Sequence, residues 1–371
     1  MSRLTVVLSV ALAISLGANL WLIYKPLHDK PSRQLLTPDN SSSSQAPGSA
    51  TATQDYPKAQ QANQKELVSL ATLKAWLDQG QYARLEALLS ERLKAAPTDL
   101  ELLELEAELQ VATRPLAEAL IHYYGVLERP MLPGDEKRIR ARITHLEQHA
   151  LNELKSSQAW DLLARFTEPL FQRFPGREDF ALLLAESYAR QQKGVLMEDT
   201  LAALPGDDSR ADAIRALLDQ PASDKPQRAS PNAPSIEMAD YIALPLTQVG
   251  DQFIAPFFIG GRRIDLLLDT GASTTAVSQS VFYSLPELAD GEFVGVFTIN
   301  TAGGPIRAEM VTMPVVSLGP YTLYNTNVLI VPDQSFRGAA GLLGMNVLKN
   351  FHFQIDQRAS ELILQTASPD N

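Results

Sequence analysis

One run in the chain carries an apolar stretch straight into a carboxylate: Leu266-Leu267-Leu268-Asp269-Thr270-Gly271-Ala272-Ser273. The leucines predict a strand buried on both faces, which would deliver Asp269 to the end of an apolar layer. A lone carboxylate in such a place is costly unless something uses or satisfies it. Used, it can take a proton from a water or give one to a carbonyl oxygen. Gly271 allows close backbone approach beside the acid, the Thr270 hydroxyl can satisfy a backbone group nearby, and Ala272 completes the supporting loop.

A second run follows in the order Gly341-Leu342-Leu343-Gly344-Met345-Asn346-Val347-Leu348, then Phe351-His352-Phe353-Gln354-Ile355-Asp356. Together the two runs resemble the retropepsin-like aspartic proteases, in which a strand ending in Asp-Thr-Gly is followed by a hydrophobic-hydrophobic-Gly strand end and a short helix. The resemblance covers residues 241–365 and is closest to the single-domain bacterial members. It implies an aspartic endopeptidase with Asp269 as its catalytic residue. Between the two runs, strand-like residues flank Thr301-Ala302-Gly303-Gly304-Pro305, the pattern of a hairpin with a glycine turn. The resemblance implies that Ala302, Gly303 and Gly304 form a flap closing over bound peptide, although most hairpins are ordinary surface features.

Aspartic proteolysis needs two carboxylates sharing one proton, since like charges in contact cannot both ionise. The chain holds no second Asp-Thr-Gly and no Asp-Ser-Gly, so the second acid is expected from Asp269 of another copy in a homodimer. Within one chain, Asp356 and Asp333 are the alternatives. The sequence departs from viral retropepsins in one paired way: Ser273 and Thr274 stand where those have acidic residues, and Met345 where they have an arginine. Both partners of an ion pair are replaced together, which need not cost stability but makes the viral dimer interface an unsafe template.

The elements that must position these residues follow from pattern. From residue 238 to 367, β-branched and aromatic runs alternate with turn signals at Gly260-Gly261, Gly303-Gly304, Gly319-Pro320 and Pro332-Asp333, predicting a mainly-β domain. Residues 66–220 are rich in Leu, Ala, Glu, Gln and Arg, with apolar positions such as Leu85, Leu88, Leu89 and Leu93 at helical spacing. Pro97 and Pro130 lie 33 residues apart, near a tetratricopeptide period, although later spacings drift. This region reads as an all-α, TPR-like repeat domain, with a plain helical bundle as the alternative. A proline-rich linker at residues 221–237 separates the two regions, and a Ser-, Pro- and Gln-rich stalk at residues 25–65 precedes them.

Residues 1–24 form the expected membrane anchor, because the 21 positions from 4 to 24 are apolar or small apart from Asn19 and match the roughly 20 residues a spanning helix needs. The apolar run outlasts what a cleaved signal peptide requires. The expected placement is a single-pass protein of the bacterial inner membrane with its C-terminal domains in the periplasm.

Composition narrows the remaining chemistry. Across 371 residues the net charge is −11, with no basic footprint for nucleic acid. There is no cysteine, so thiol nucleophiles, disulfides and cysteine-based zinc sites are out. His145 and His149 are four apart on an expected helix, but Glu147 is misplaced for a zinc-protease motif, so they read as a solvated helix face. No metal or cofactor is expected. The expected partners are a second copy, protein or peptide substrates, and a protein bound by the helical repeats. The alternative function is a non-catalytic binding scaffold with an inactive protease-like domain.

Overall fold

The computed structural model describes residues 68–218, 241–284, 291–301, 303–336 and 339–366. The expected anchor, stalk and linker lie outside these residues, as does Ala302. Among the described residues, no helix is long and apolar enough to cross a membrane.

Helices occupy the first part: α1 (Leu70–Asp78), α2 (Tyr82–Ala95), α3 (Leu100–Thr113), α4 (Leu116–Leu127), α5 (Pro133–Ser156), α6 (Trp160–Arg173), α7 (Glu178–Arg190), α8 (Gly194–Leu201) and α9 (Ser209–Arg215). Caps set several boundaries. The Ser69 and Asp99 side chains accept N–H groups of the first turns of α1 and α3, satisfying donors that a helix start leaves free. Gly80, Gln158 and Gln192 all take positive φ at helix ends, and in each case the next N–H closes back five residues, to Trp76, Leu154 and Tyr188. The first two of these turns each precede a 14-residue helix. Both helices then end in a proline turn, at Pro97 and Pro175.

The second part is mainly β: β1 (Ile242–Pro245), β2 (Thr247–Val249), β3 (Gln252–Ile259), β4 (Arg262–Leu268), β5 (Ala276–Ser278), a short α10 (Gln279–Tyr283), β6 (Glu292–Thr301), β7 (Gly304–Leu318), β8 (Tyr321–Val331), β9 (Gly341–Leu343), α11 (Met345–Leu348), β10 (Phe351–Asp356) and β11 (Glu361–Thr366). Eight strands make one sheet in the order β2-β3-β4-β9-β5-β8-β7-β6, and β3 also pairs with β7 so that the sheet folds over on itself. β1, β11 and β10 form a second, three-stranded sheet. Phe257, Leu266, Val277, Leu343, Val347, Leu362 and Leu364 fill the core enclosed by these strands.

The other face of the large sheet is covered by the helices. Ala276, Val294, Phe297, Ala308, Met310, Leu329 and Val331 belong to one buried cluster with Leu116, Leu120, Phe166 and Leu170. Val328 to Val331 therefore alternate between two interiors, Val328 and Ile330 facing the β core and Leu329 and Val331 the helices. A strand buried on both sides needs an unbroken apolar run, and this one has it. The contact is tight at β6, where Gly295 faces Leu116 and a Cβ would lie 3.0 Å from Leu116 Cδ2. The described residues of the helical and β parts accordingly form one compact unit.

Two expectations are corrected. β4 is not buried on both faces: Leu266 is fully buried, while Leu267 and Leu268 are only partly so. His149 is not simply solvated; its ring stacks on the exposed His145 and its Nε2 lies 3.6 Å from Glu292 at the start of β6.

Candidate active site

β4 runs parallel to β9, with Leu267 opposite Leu342 and Leu268 opposite Leu343. The ladder continues one step past the strand, since the Asp269 N–H donates to Leu343 O at 3.1 Å. This sets the first motif beside the second. The chain then turns: the Ala272 N–H donates to Asp269 O at 3.3 Å, and the Gly271 N–H donates to the Asp269 carboxylate at 2.9 Å. A side chain at position 271 would put its Cβ 3.2 Å from that same Oδ1, so glycine keeps the carboxylate uncrowded.

The start of α11 holds the far end of the loop. Met345 N–H donates to Ala272 O at 2.8 Å and Asn346 N–H to Ser273 O at 3.0 Å. Asn346 Oδ1 accepts both the N–H and the hydroxyl of Thr275, and the Thr275 hydroxyl in turn accepts the Gly344 N–H at 3.1 Å. The two glycines of the second motif have no room for a side chain. A Cβ at Gly341 would meet Ala276 O at 2.1 Å, and one at Gly344 the carbonyl carbon of Thr274 at 2.6 Å. The Gly341, Leu342, Leu343, Gly344 run is thus the counterpart against which the acid-bearing loop is locked.

At the tip of this loop Asp269 is half-buried, and Thr270 and Gly271 are exposed. The Thr270 hydroxyl makes no hydrogen bond among the described residues, so its expected service to a neighbouring backbone group is not seen among them. Asp333 accepts the Ser280 N–H, and Asp356 accepts two N–H groups of the β10–β11 turn, so both alternative acids are occupied in turns and caps.

β6 and β7 form the expected glycine hairpin, with Ile299 opposite Ile306 and Thr301 opposite Gly304. Gly304 has φ +107°, a conformation that side chains rarely adopt, and the Thr301 hydroxyl binds Gly304 O at 2.8 Å and the Gly303 N–H at 3.2 Å. Among the described residues, no hydrogen bond joins this tip to the Asp269 loop. Ile299 and Ile306 of the hairpin and Leu342 of β9 are partly buried against the same apolar cluster.

The sequence reading missed the residues that fix the loop from outside. The Ser273 hydroxyl donates to Asp161 of α6 at 2.9 Å, across 112 residues of chain. Lys349 Nζ donates to Ser157 O at 2.6 Å, and Asn327 Nδ2 to Glu153 O at 3.0 Å. Nothing local in the sequence marks Asp161. Asn346, a polar residue inside an apolar run, was a visible signal.

Residues 255–350, 96 of the 371, match the family model described as "gag-polyprotein putative aspartyl protease". The match falls on the two locked motifs and the hairpin. It supports a retropepsin-like aspartic protease domain in this part of the chain. Among solved structures the chain is similar to a retropepsin-like aspartic protease from Rickettsia conorii, at 24% identity over 34% of this chain and 90% of that one, with a TM-score of 0.25. No curated protein matches the chain.

Proposed function

We propose that the chain is an aspartic endopeptidase that hydrolyses peptide bonds of extracytoplasmic proteins, with Asp269 from each of two copies forming one active site. The observation that carries this reading is the acid-bearing loop, locked by the second motif yet open at Thr270 and Gly271, where a second copy could bring its own loop. One carboxylate takes a proton from water as the water attacks the scissile carbonyl, and the other, protonated, donates to the carbonyl oxygen. The proton shared between them lets two acids sit in contact. The β6–β7 hairpin serves as the flap.

The apolar run at residues 4–24 has the length of a membrane-spanning helix, and in this reading it anchors the chain in a bacterial inner membrane with the folded parts in the periplasm. Tethering two copies to one membrane would raise their effective concentration and favour a weak dimer. A groove of about 670 Å³ along α5, α7 and α9, lined by Leu151, Leu182, Leu183 and Arg177 among others, supports a protein partner at the helical region.

The test is peptide cleavage by the full chain against its Asp269→Asn variant, which is nearly isosteric. The variant should stay folded and lose turnover. A folded variant with undiminished turnover would overturn the assignment.

A further inference from the structure

The corner between α5 and α6 reaches the acid-bearing loop from the helical region. Glu153, near the end of α5, receives Asn327 Nδ2 on its carbonyl oxygen at 3.0 Å, and its carboxylate lies 3.0 Å from the Thr312 hydroxyl. Four residues on, Ser157 O accepts Lys349 Nζ from the end of α11 at 2.6 Å. Gln158 then turns the chain with φ +57°, and α6 starts at Trp160, whose carbonyl is held at 2.9 Å by Gln191 Nε2 from the end of α7. The corner is thus tied to β7, β8 and α11 on one side and to α7 on the other.

Asp161 stands in the first turn of α6, where a carboxylate is favoured by the helix dipole. Its Oδ1 accepts the Ser273 hydroxyl at 2.9 Å. Ser273 lies in the loop that runs from Asp269 to Thr275, and its carbonyl oxygen is already held by the Asn346 N–H. The loop end is therefore fixed twice, once by the second motif and once by a charged acceptor from the helical region. Hydrogen bonds to charged acceptors are among the stronger ones a protein makes. The same helix packs Phe166 on Phe297 of β6, the first strand of the hairpin, with ring centroids 6.2 Å apart.

We propose that Asp161 is a positioning residue for Asp269, acting through Ser273, so that the helical region is a working part of the active site as well as a surface for other proteins. This rests on the reading of the chain as an aspartic endopeptidase. Asp161 touches neither water nor substrate in the reaction; it fixes where the loop presents its acid. A carboxylate that must share one proton with its counterpart tolerates little displacement, because an error of an ångström at the reacting groups is costly in rate.

The test uses the full chain and four variants: Asp161→Ala, Asp161→Asn, Ser273→Ala and the double alanine. Asp161→Ala should lower kcat by roughly tenfold, equivalent to about 1.4 kcal/mol in the barrier, with little change in KM. Asp161→Asn keeps an oxygen that can accept the Ser273 hydroxyl and should recover most of the rate. Ser273→Ala should match Asp161→Ala, and the double variant should lose no more than either single one. Additive losses, an unrescued Asp161→Asn, or an effect confined to KM would overturn the proposal. Amide hydrogen exchange of residues 271–275 gives a readout that does not depend on turnover. It should quicken in Asp161→Ala while the β core stays protected, even if the wild-type chain cleaves no peptide and the endopeptidase reading itself has failed. Unchanged exchange in that loop would overturn the positioning role whatever the activity.

Discussion

Asn346 holds Thr275 by two hydrogen bonds to a single oxygen, accepting the backbone N–H and the side-chain hydroxyl at 2.8 Å each. Its Nδ2 donates to Asn327 O at 2.7 Å, so one buried amide ties α11 to the loop and to β8. Asn346→Ala would leave buried donors of Thr275 and the carbonyl of Asn327 without partners. Each of the three orphaned groups costs about 1–3 kcal/mol, so a total loss of at least about 3 kcal/mol is expected in urea unfolding. A loss below about 1 kcal/mol would show that the lock rests on other contacts.

The hairpin prediction separates two adjacent glycines. Gly304 needs its φ of +107°, whereas a Cβ at Gly303 would meet only Thr301 Oγ1, at an ordinary 3.6 Å. Gly304→Ala should therefore impair turnover much more than Gly303→Ala, with the β core equally stable in both. Equal activity of the two variants would make the tip an ordinary surface turn.

The helical and β parts should unfold together, because Phe166 and Phe297 lie in one buried cluster with the residues on either side. Phe166→Ala should cost about 3–5 kcal/mol. The loss should appear both in tryptophan fluorescence, which in the described region reports only Trp76 and Trp160 of the helices, and in hydrogen exchange of β5 and β8. Loss in the fluorescence transition alone would mean that the β part is stable without its cover.

Acid should weaken the helical region. Burial alone would raise the Asp179 carboxyl, but hydrogen bonding and charge from Arg177 hold it below its ordinary value. A depressed carboxylate contributes stability that is present above its unfolded pKa, about 3.9, and lost as pH falls through the folded value. The gap in Tm between wild type and Arg177→Gln should thus be widest near neutrality and shrink below about pH 4. A constant gap across that range would assign the effect of Arg177 to its packing on Phe180, over whose ring the guanidinium sits at 3.9 Å.

Much of the site was legible because its parts are local. Asp269-Thr270-Gly271 and Gly341-Leu342-Leu343-Gly344 are contiguous motifs, and the structure locks one against the other. The hairpin followed from two β runs about a glycine pair. The cover over the sheet was not legible, although the unbroken run from Val328 to Val331 held a trace of it: an apolar residue on each face implies a second interior. Composition divided the chain at a proline-rich stretch, yet one hydrophobic cluster crosses that division. Leu267 and Leu268 misled in the other direction, since apolar type alone does not fix burial near an open loop. The Asp161–Ser273 contact joins residues 112 apart and leaves no pattern in either neighbourhood.

The central claim is that one active site takes Asp269 from each of two copies. It is tested most directly by mixing wild-type chain with Asp269→Asn chain, allowing subunits to exchange, and measuring cleavage as a function of composition. In an equal mixture about one dimer in four carries two intact carboxylates, so activity should fall to roughly a quarter of that of the same total amount of wild type. A fall to about one half, linear in the wild-type fraction, would mean that each chain works with its own acids and would contradict the shared site.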